Sequence, residues 1–224
     1  MRVTITEDGP YQVSGGVPLV RMEIVVNEAG ESVGWRETER LEPGDDYLLC
    51  RCGQSQDKPY CDFAHAAAGF DGSETGSREP YFETAACTDG PGVRLRDVRE
   101  LCAEARFCDR GGGLWNLVHD YDDPEARALV EEEAALCPSG RYVVCDPDTD
   151  DGQEPDLEPA IGLIEDPHLG VSGPLYVMGG IEVLSAEGSP YEIRNRVTLC
   201  RCGASKNKPF CDGSHIKEEF CDEF

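Results

Sequence analysis

The chain has 224 residues, 20 of them basic and 45 acidic, for a net charge of −25. Such a surface repels nucleic acid and anionic membrane and suits a partner with a basic docking face, although acidity also serves solubility or a salty cytoplasm. Only 39% of residues are apolar, which excludes large cores and favours small stapled modules, with twelve cysteines as the obvious staples.

The opening residues, Met1-Arg2-Val3-Thr4-Ile5-Thr6-Glu7-Asp8, lack the apolar core of a secretory signal. No stretch reaches the roughly 20 apolar residues of a membrane span. A cytoplasmic location is therefore expected, with cysteines acting as ligands rather than as disulfides.

In chain order, the first feature is Gly9-Pro10-Tyr11-Gln12-Val13-Ser14-Gly15-Gly16-Val17. A strand over 19–26, a turn at Asn27-Glu28-Ala29-Gly30 and a strand over 32–38 follow, because the runs are β-branched and the turn holds glycine. Residues 50–70 then carry Cys50, Cys52, Cys61 and His65, with Ser55, Lys58 and Pro59 between them. Asp97 is placed to cap a short helix carrying Leu101 and Cys102. Gly111-Gly112-Gly113 reads as a flexible turn. Asp123-Pro124 opens a helix running to Leu136, and Cys137-Pro138-Ser139-Gly140 ends it. This stretch reads as helical, unlike its β-rich flanks. The acidic run 146–159 reads as a solvated linker. Its Asp146, Asp148 and Asp150 resemble a calcium loop only superficially, since Leu157 stands where the bidentate Glu belongs.

The opening pattern then recurs. Gly173-Pro174-Leu175-Tyr176-Val177-Met178-Gly179-Gly180-Ile181 repeats the segment at Gly9, at an offset of 164. A strand over 181–184, a turn at 186–188 and a strand over 191–198 form the expected second hairpin. Cys200, Cys202, Cys211 and His215 repeat the first set at an offset of 150. A duplicated small β module suggests a pseudo-two-fold pair in which each half supplies the other with a buried face.

Cys200 and Cys202 would point to opposite faces of a flat strand, so one metal requires the chain to turn there, and Gly203 relaxes the backbone just after. Cys211 and His215, four apart, share one face of a helical turn, with Asp212 placed to cap it. Three cysteines per copy leave an odd thiol, so disulfides fit poorly. Spacing alone fits Cys3His zinc as well as an iron–sulfur site.

Residues 200–215 resemble the CDGSH iron–sulfur (mitoNEET-like) family, whose pattern C-x-C-x2-S/T-x3-P-x-C-D-G-S/A/T-H is filled at every position. The resemblance implies a small β-rich cluster-binding fold. It also implies a [2Fe–2S] cluster, with Cys200 and Cys202 on the inner iron and Cys211 and His215 on the outer. By the same resemblance Cys50, Cys52, Cys61 and His65 hold a second cluster. That copy has Phe63 in place of the Gly and Ala64 in place of the Ser, so the two clusters are expected to differ in potential or acid lability. An exposed His ligand titrating near neutral pH would couple protons to reduction or loosen the outer iron. Lys58 and Lys208 read either as electrostatic tuners or docking contacts, or as solvated lysines.

Cys102-x5-Cys108 with a distant Cys137-Pro138 resembles the divergent single-cluster ferredoxin-like family. That implies a third cluster, [3Fe–4S] or [4Fe–4S], on Cys102, Cys108 and Cys137. His119 is a candidate fourth ligand; Cys145 reads as a candidate ligand or a packed thiol. Cys87 and Cys221 match no motif and read as unliganded thiols.

The expected fold class is therefore α+β. A CDGSH-type module covers 1–83, a helical ferredoxin-like segment 84–146, an acidic linker 147–171, and a second CDGSH-type module 172–224. The expected activity is electron transfer, cluster transfer or redox sensing toward a redox or cluster-acceptor protein, with no nucleic acid and no membrane. The alternative is a zinc-stapled interaction module. No phosphate-cradling loop, nucleotide fingerprint or nucleophile–base pair suggests an enzyme.

Overall fold

The computed structural model describes residues 1–222. Five strands open the chain: β1 (Arg2–Ile5), β2 (Tyr11–Ser14), β3 (Leu19–Val26), β4 (Ser32–Leu41) and β5 (Asp46–Leu49). Two short helices follow, α1 (Ala64–Ala68) and α2 (Tyr81–Thr84). The middle holds β6 (Ala86–Gly90), β7 (Val93–Asp97), α3 (Leu114–Leu117), α4 (Pro124–Leu136), β8 (Tyr142–Cys145) and β9 (Gly152–Gln153). Last come β10 (Ala160–Asp166), β11 (Val171–Met178), β12 (Glu182–Leu184), β13 (Arg196–Leu199) and α5 (Ser214–Lys217). The architecture is mixed α+β, with sheets predominating.

The two halves exchange strands. The first sheet runs β12-β1-β2-β5 and the second β13-β11-β10-β3-β4. β3 leaves the first half to pair in parallel with β10, Ile161 opposite Leu19. β12 leaves the second half to pair in parallel with β1, Val3 opposite Val183. A glycine pair precedes each departure. Gly15 and Gly16 have φ of 89° and 67°, and Gly179 and Gly180 have 71° and 70°. Side chains rarely tolerate that left-handed region, which explains both pairs.

In β1, β2 and β5 burial alternates, so Val3, Ile5, Tyr11, Val13, Tyr47 and Leu49 point to one core. Leu19, Ile161, Leu163, Leu175, Val177, Val183 and Leu199 join that core from the exchanged strands and the second sheet. β11 and β13 instead are buried at every position. The reason is a second layer: Phe107 and Ala105 of the middle segment pack on Val20, Ile24, Ile164, Tyr176 and Met178, and Arg196 of β13 donates to Ala134 O and Tyr142 O. A sheet covered on both faces loses its alternation.

Several expectations change here. The first hairpin, β3–β4, is present, but the second is not. β12 pairs with β1, β13 pairs with β11, and only a Leu184–Pro190 bridge marks the expected turn. The span 147–171 contains β10, an internal strand of the second sheet, because its branched run 160–166 outweighs the acidic stretch before it. The middle segment keeps its expected helix, α4, but is not helical alone: β6-β7-β8-β9 form a sheet, and α4 packs Val130 and Ala134 onto Leu95, Tyr142 and Val144. The start of α4 is as expected, with Asp123 Oδ1 accepting from the amides of Glu125 and Ala126 at 2.9 and 3.0 Å. Asp97 caps nothing. Its carboxylate holds Arg141 at 2.6 and 2.9 Å, and only a 3-10 turn, Arg99–Leu101, follows. Among the described residues no helix is long and apolar enough to cross a membrane.

Candidate metal centres

Each terminal cysteine motif hangs from a sheet edge by the same bonds. In the second half the Cys200 amide donates to Pro209 O at 2.8 Å and the Cys211 amide to Thr198 O at 3.0 Å. Ser205 Oγ donates to Phe210 O at 2.7 Å and Lys208 Nζ to Ser205 O at 2.7 Å. Asp212 accepts from the amides of Lys206 and Ser214 at 2.8 and 3.0 Å, so it ties the ligand loop to the start of α5. The first half repeats this set through Cys50, Cys61, Ser55, Lys58 and Asp62. Lys58 and Lys208 are thus latches on the ligand loops.

The donor atoms fall into pairs. Cys50 and Cys52 sulfurs lie 3.8 Å apart, and Cys200 and Cys202 sulfurs 3.7 Å apart. Cys61 Sγ lies 3.6 Å from His65 Nδ1, and Cys211 Sγ 3.5 Å from His215 Nδ1. Bonds of about 2.3 Å to sulfur and about 2.0 Å to nitrogen, opened at a tetrahedral angle, give about 3.8 Å for two sulfurs and about 3.5 Å for a mixed pair. The pairs therefore sit at the spacing of donors sharing one metal ion. Among the described residues, no group of three His, Cys, Asp or Glu converges for a single ion. Amides of Gln54, Phe63 and Gly213 point at the sulfurs of Cys52, Cys61 and Cys211, at 3.3–3.4 Å. Such donors favour thiolate over thiol.

Electrostatics separates the two sites. Burial pushes the Cys211 thiol well up, against the Gly213 amide, so it stays neutral until a metal compensates its charge. In the Cys200–Cys202 pair the shared hydrogen bond lowers the first thiol and raises the second. Burial lowers His215 to about 4, assisted by Arg201 and opposed by Asp166 and Asp212. A neutral imidazole is the form that binds metal. His215 is 5% exposed, so the expected exposed, near-neutral titration does not apply there.

The two sites touch. Cys52 and Cys202 form an antiparallel bridge. Gly53 lies over the Cys202 carbonyl and Gly203 over the Cys52 carbonyl. Tyr11 Oη, from the first half, donates to Cys200 O at 2.8 Å. A cavity of about 450 Å³ opens between the sites, walled by Cys52, Phe70, Cys202 and Phe220.

The middle cysteines are gathered differently. Cys102, Cys108 and Cys137 line one cavity of about 20 Å³. Their sulfurs are turned to Glu104, Asp109 and Ser139, not to each other. A cluster there needs those side chains to rotate and the loop to open. Glu104 and Arg106 adopt φ of 54° and 62°, the left-handed region that side chains rarely adopt. Cys145 is packed with Tyr81, Val98 and Val143, and His119 is exposed; neither lines that cavity. Cys87 lies against Arg96 and Cys221 is exposed. Asp146 accepts from its own turn and Asp150 is taken by Arg96, so the acidic run forms no calcium loop.

The family model described as iron-binding zinc finger CDGSH type matches residues 8–66 and 172–216. Two stretches of the chain are thus similar to the CDGSH type. Residues 88–147, between them, match the family described as divergent 4Fe-4S mono-cluster. No curated protein and no solved structure matches the chain at a significant level.

Sequence reasoning missed the arginine inside each CDGSH cysteine pair. Arg51 donates to the carbonyls of Thr6, Gly9 and Gly72, and Arg201 to those of Gly173 and Ile164. Both are nearly fully buried and clamp the turn that brings two sulfurs to one side. The repeated Cys-Arg-Cys was the available signal. Tyr11 carried none, because its partner lies 189 residues away.

Proposed function

We propose that this is an iron–sulfur protein with a [2Fe–2S] cluster in each CDGSH domain, one held by Cys50, Cys52, Cys61 and His65, the other by Cys200, Cys202, Cys211 and His215. One observation carries the reading: the donors stand as two pairs per domain, each at the spacing of donors on one ion. A single tetrahedral zinc would draw all four donors together; a diiron cluster takes two per iron. A bound cluster supplies one-electron chemistry, tuned by ligand type and by hydrogen bonds to sulfur. The chain's own part is to aim Nδ1 of each histidine at its cysteine, direct amides at the sulfurs and limit water.

In this reading the protein carries electrons or hands on clusters and has no catalytic residues of its own. The reciprocal strand exchange supports a pseudo-two-fold pairing of the domains. The net charge of −25 suits a redox or cluster-acceptor partner with a basic face, in the cytoplasm. The middle trio offers ligands for a further cluster only after rearrangement.

Iron, sulfide and zinc measured on anaerobically purified protein test the reading. About four irons and four sulfides per chain, with the EPR signal of a mixed-ligand [2Fe–2S] centre after reduction, are expected. Iron beyond that amount reports the middle cluster. Zinc in place of iron and sulfide would sink the proposal in favour of a structural module.

A further inference from the structure

We propose that the two CDGSH sites have divided roles: the middle loop 102–108 seals the second site, so that the second retains its cluster while the first is open to ligand exchange. This rests on the reading that both sites hold clusters.

The outer ligand pair shows the asymmetry. Cys211 is 2% and His215 5% exposed, whereas Cys61 and His65 are each partly exposed. The cover over the second pair is identifiable. A Cβ on Gly213 would meet Glu104 Cγ at 2.4 Å, so the middle loop lies directly on the start of α5. The corresponding position in the first domain is Phe63, with the same left-handed backbone, φ 67° against 80°. Phe63 is 62% exposed, its ring 6.0 Å from that of His65. The second domain has room only for glycine, because Glu104 occupies the space. The first accepts a large ring, because that space is solvent.

The cover is anchored at three places. Arg106 pairs with the buried Asp166 at 2.7 Å. Phe107 is buried and packs against Trp35, the rings tilted by 48° with centroids 4.8 Å apart. Asn207, in the ligand loop itself, donates to Glu100 O at 2.8 Å. A competing ligand reaches the second outer pair only when this loop opens, and local opening is a costed, infrequent event. Exchange at iron is ligand replacement without net redox change. An acceptor thiolate bonds to iron as the Cys61 or His65 bond breaks, and the released group takes the proton that the acceptor thiol gave up. A thiol-bearing or chelating acceptor thus draws on the first site.

The test exposes holoprotein to EDTA and measures the EPR signal of the His-ligated [2Fe–2S] centres on timed, dithionite-reduced aliquots. Two phases are expected. The slow one remains alone when the first site is removed by replacing Cys50 and Cys52 with alanine. Glu104→Gly suits the left-handed backbone and deletes the cover; it should speed the slow phase by about tenfold or more and leave the fast phase unchanged. Asp166→Asn, which frees Arg106, should act in the same direction. A single-phase decay, a fast decay in the Cys50/Cys52 variant, or a slow phase indifferent to both cover variants overturns the proposal. Wild-type protein lacking iron and sulfide would instead overturn the cluster reading, and does so before EDTA is added.

Discussion

Arg201 sits between Cys200 and Cys202 in a buried ionic network. It pairs with Asp222 and, at 2.9 Å, with Glu165, which also holds Arg21 at 2.6 Å and Ser172. Asp222 is 0% exposed and its amide donates to Ser172 Oγ at 2.8 Å. Removing one partner of a buried pair strands the other charge, so Asp222→Ala should cost about 3–5 kcal/mol in urea unfolding. A loss under about 1 kcal/mol would show that Glu165 alone compensates Arg201. Glu133, on α4, is 0% exposed with Arg110 Nε at 3.5 Å. Burial nevertheless raises its carboxyl from 4.5 to about 7. Its folded form thus keeps a proton that the unfolded chain releases, and stability through this group falls as pH rises from about 4.5 to about 7. Glu133→Gln should flatten that slope and raise Tm at pH 8 relative to wild type, with little change at pH 4.5. An unaltered pH–Tm curve would show that Arg110 already compensates the charge.

At the scale of elements, the glycine after each Cys-x-Cys does two jobs. Gly203 has φ of 83°, and a Cβ there would stand 2.4 Å from the Cys52 carbonyl oxygen. Gly188 has φ of 81° with nothing within 4 Å of that point. Gly188→Ala therefore carries only the conformational cost of about 1 kcal/mol, while Gly203→Ala adds a backbone clash and should lose about 2 kcal/mol or more. Thermal unfolding of the two variants separates these terms; equal losses would mean that the junction between domains yields freely. Strand existence was legible at this scale, as β3, β4 and β13 show. Strand partnership was not. β12 and β3 have ordinary branched sequences, and nothing local says that each will pair with the other half.

For the whole molecule, the contacts arrange the three cysteine-rich regions in a row. The first CDGSH site meets the second through Cys52 and Cys202. The second meets the middle loop through Gly213 and Glu104. The middle segment is fastened to the sheet beneath by Trp35, which packs on Phe107 and Tyr176 and donates to Leu136 O at 3.1 Å. None of this order was readable from spacing, since these partners are 72 to 150 residues apart in sequence.

The sequence by itself determined how the candidate donors group in each half. Cys50, Cys52, Cys61 and His65 and their repeats are close along the chain, and the glycine, proline and aspartate between them set the turns locally. It also determined α4, whose cap and first-turn proline act within one helical turn. Only the tertiary structure decided which site is covered, which strands cross over, and that 160–166 is core rather than linker. Those outcomes depend on burial between distant segments, where the energy comes from the surface that two pieces hide together and not from the pattern of either piece alone.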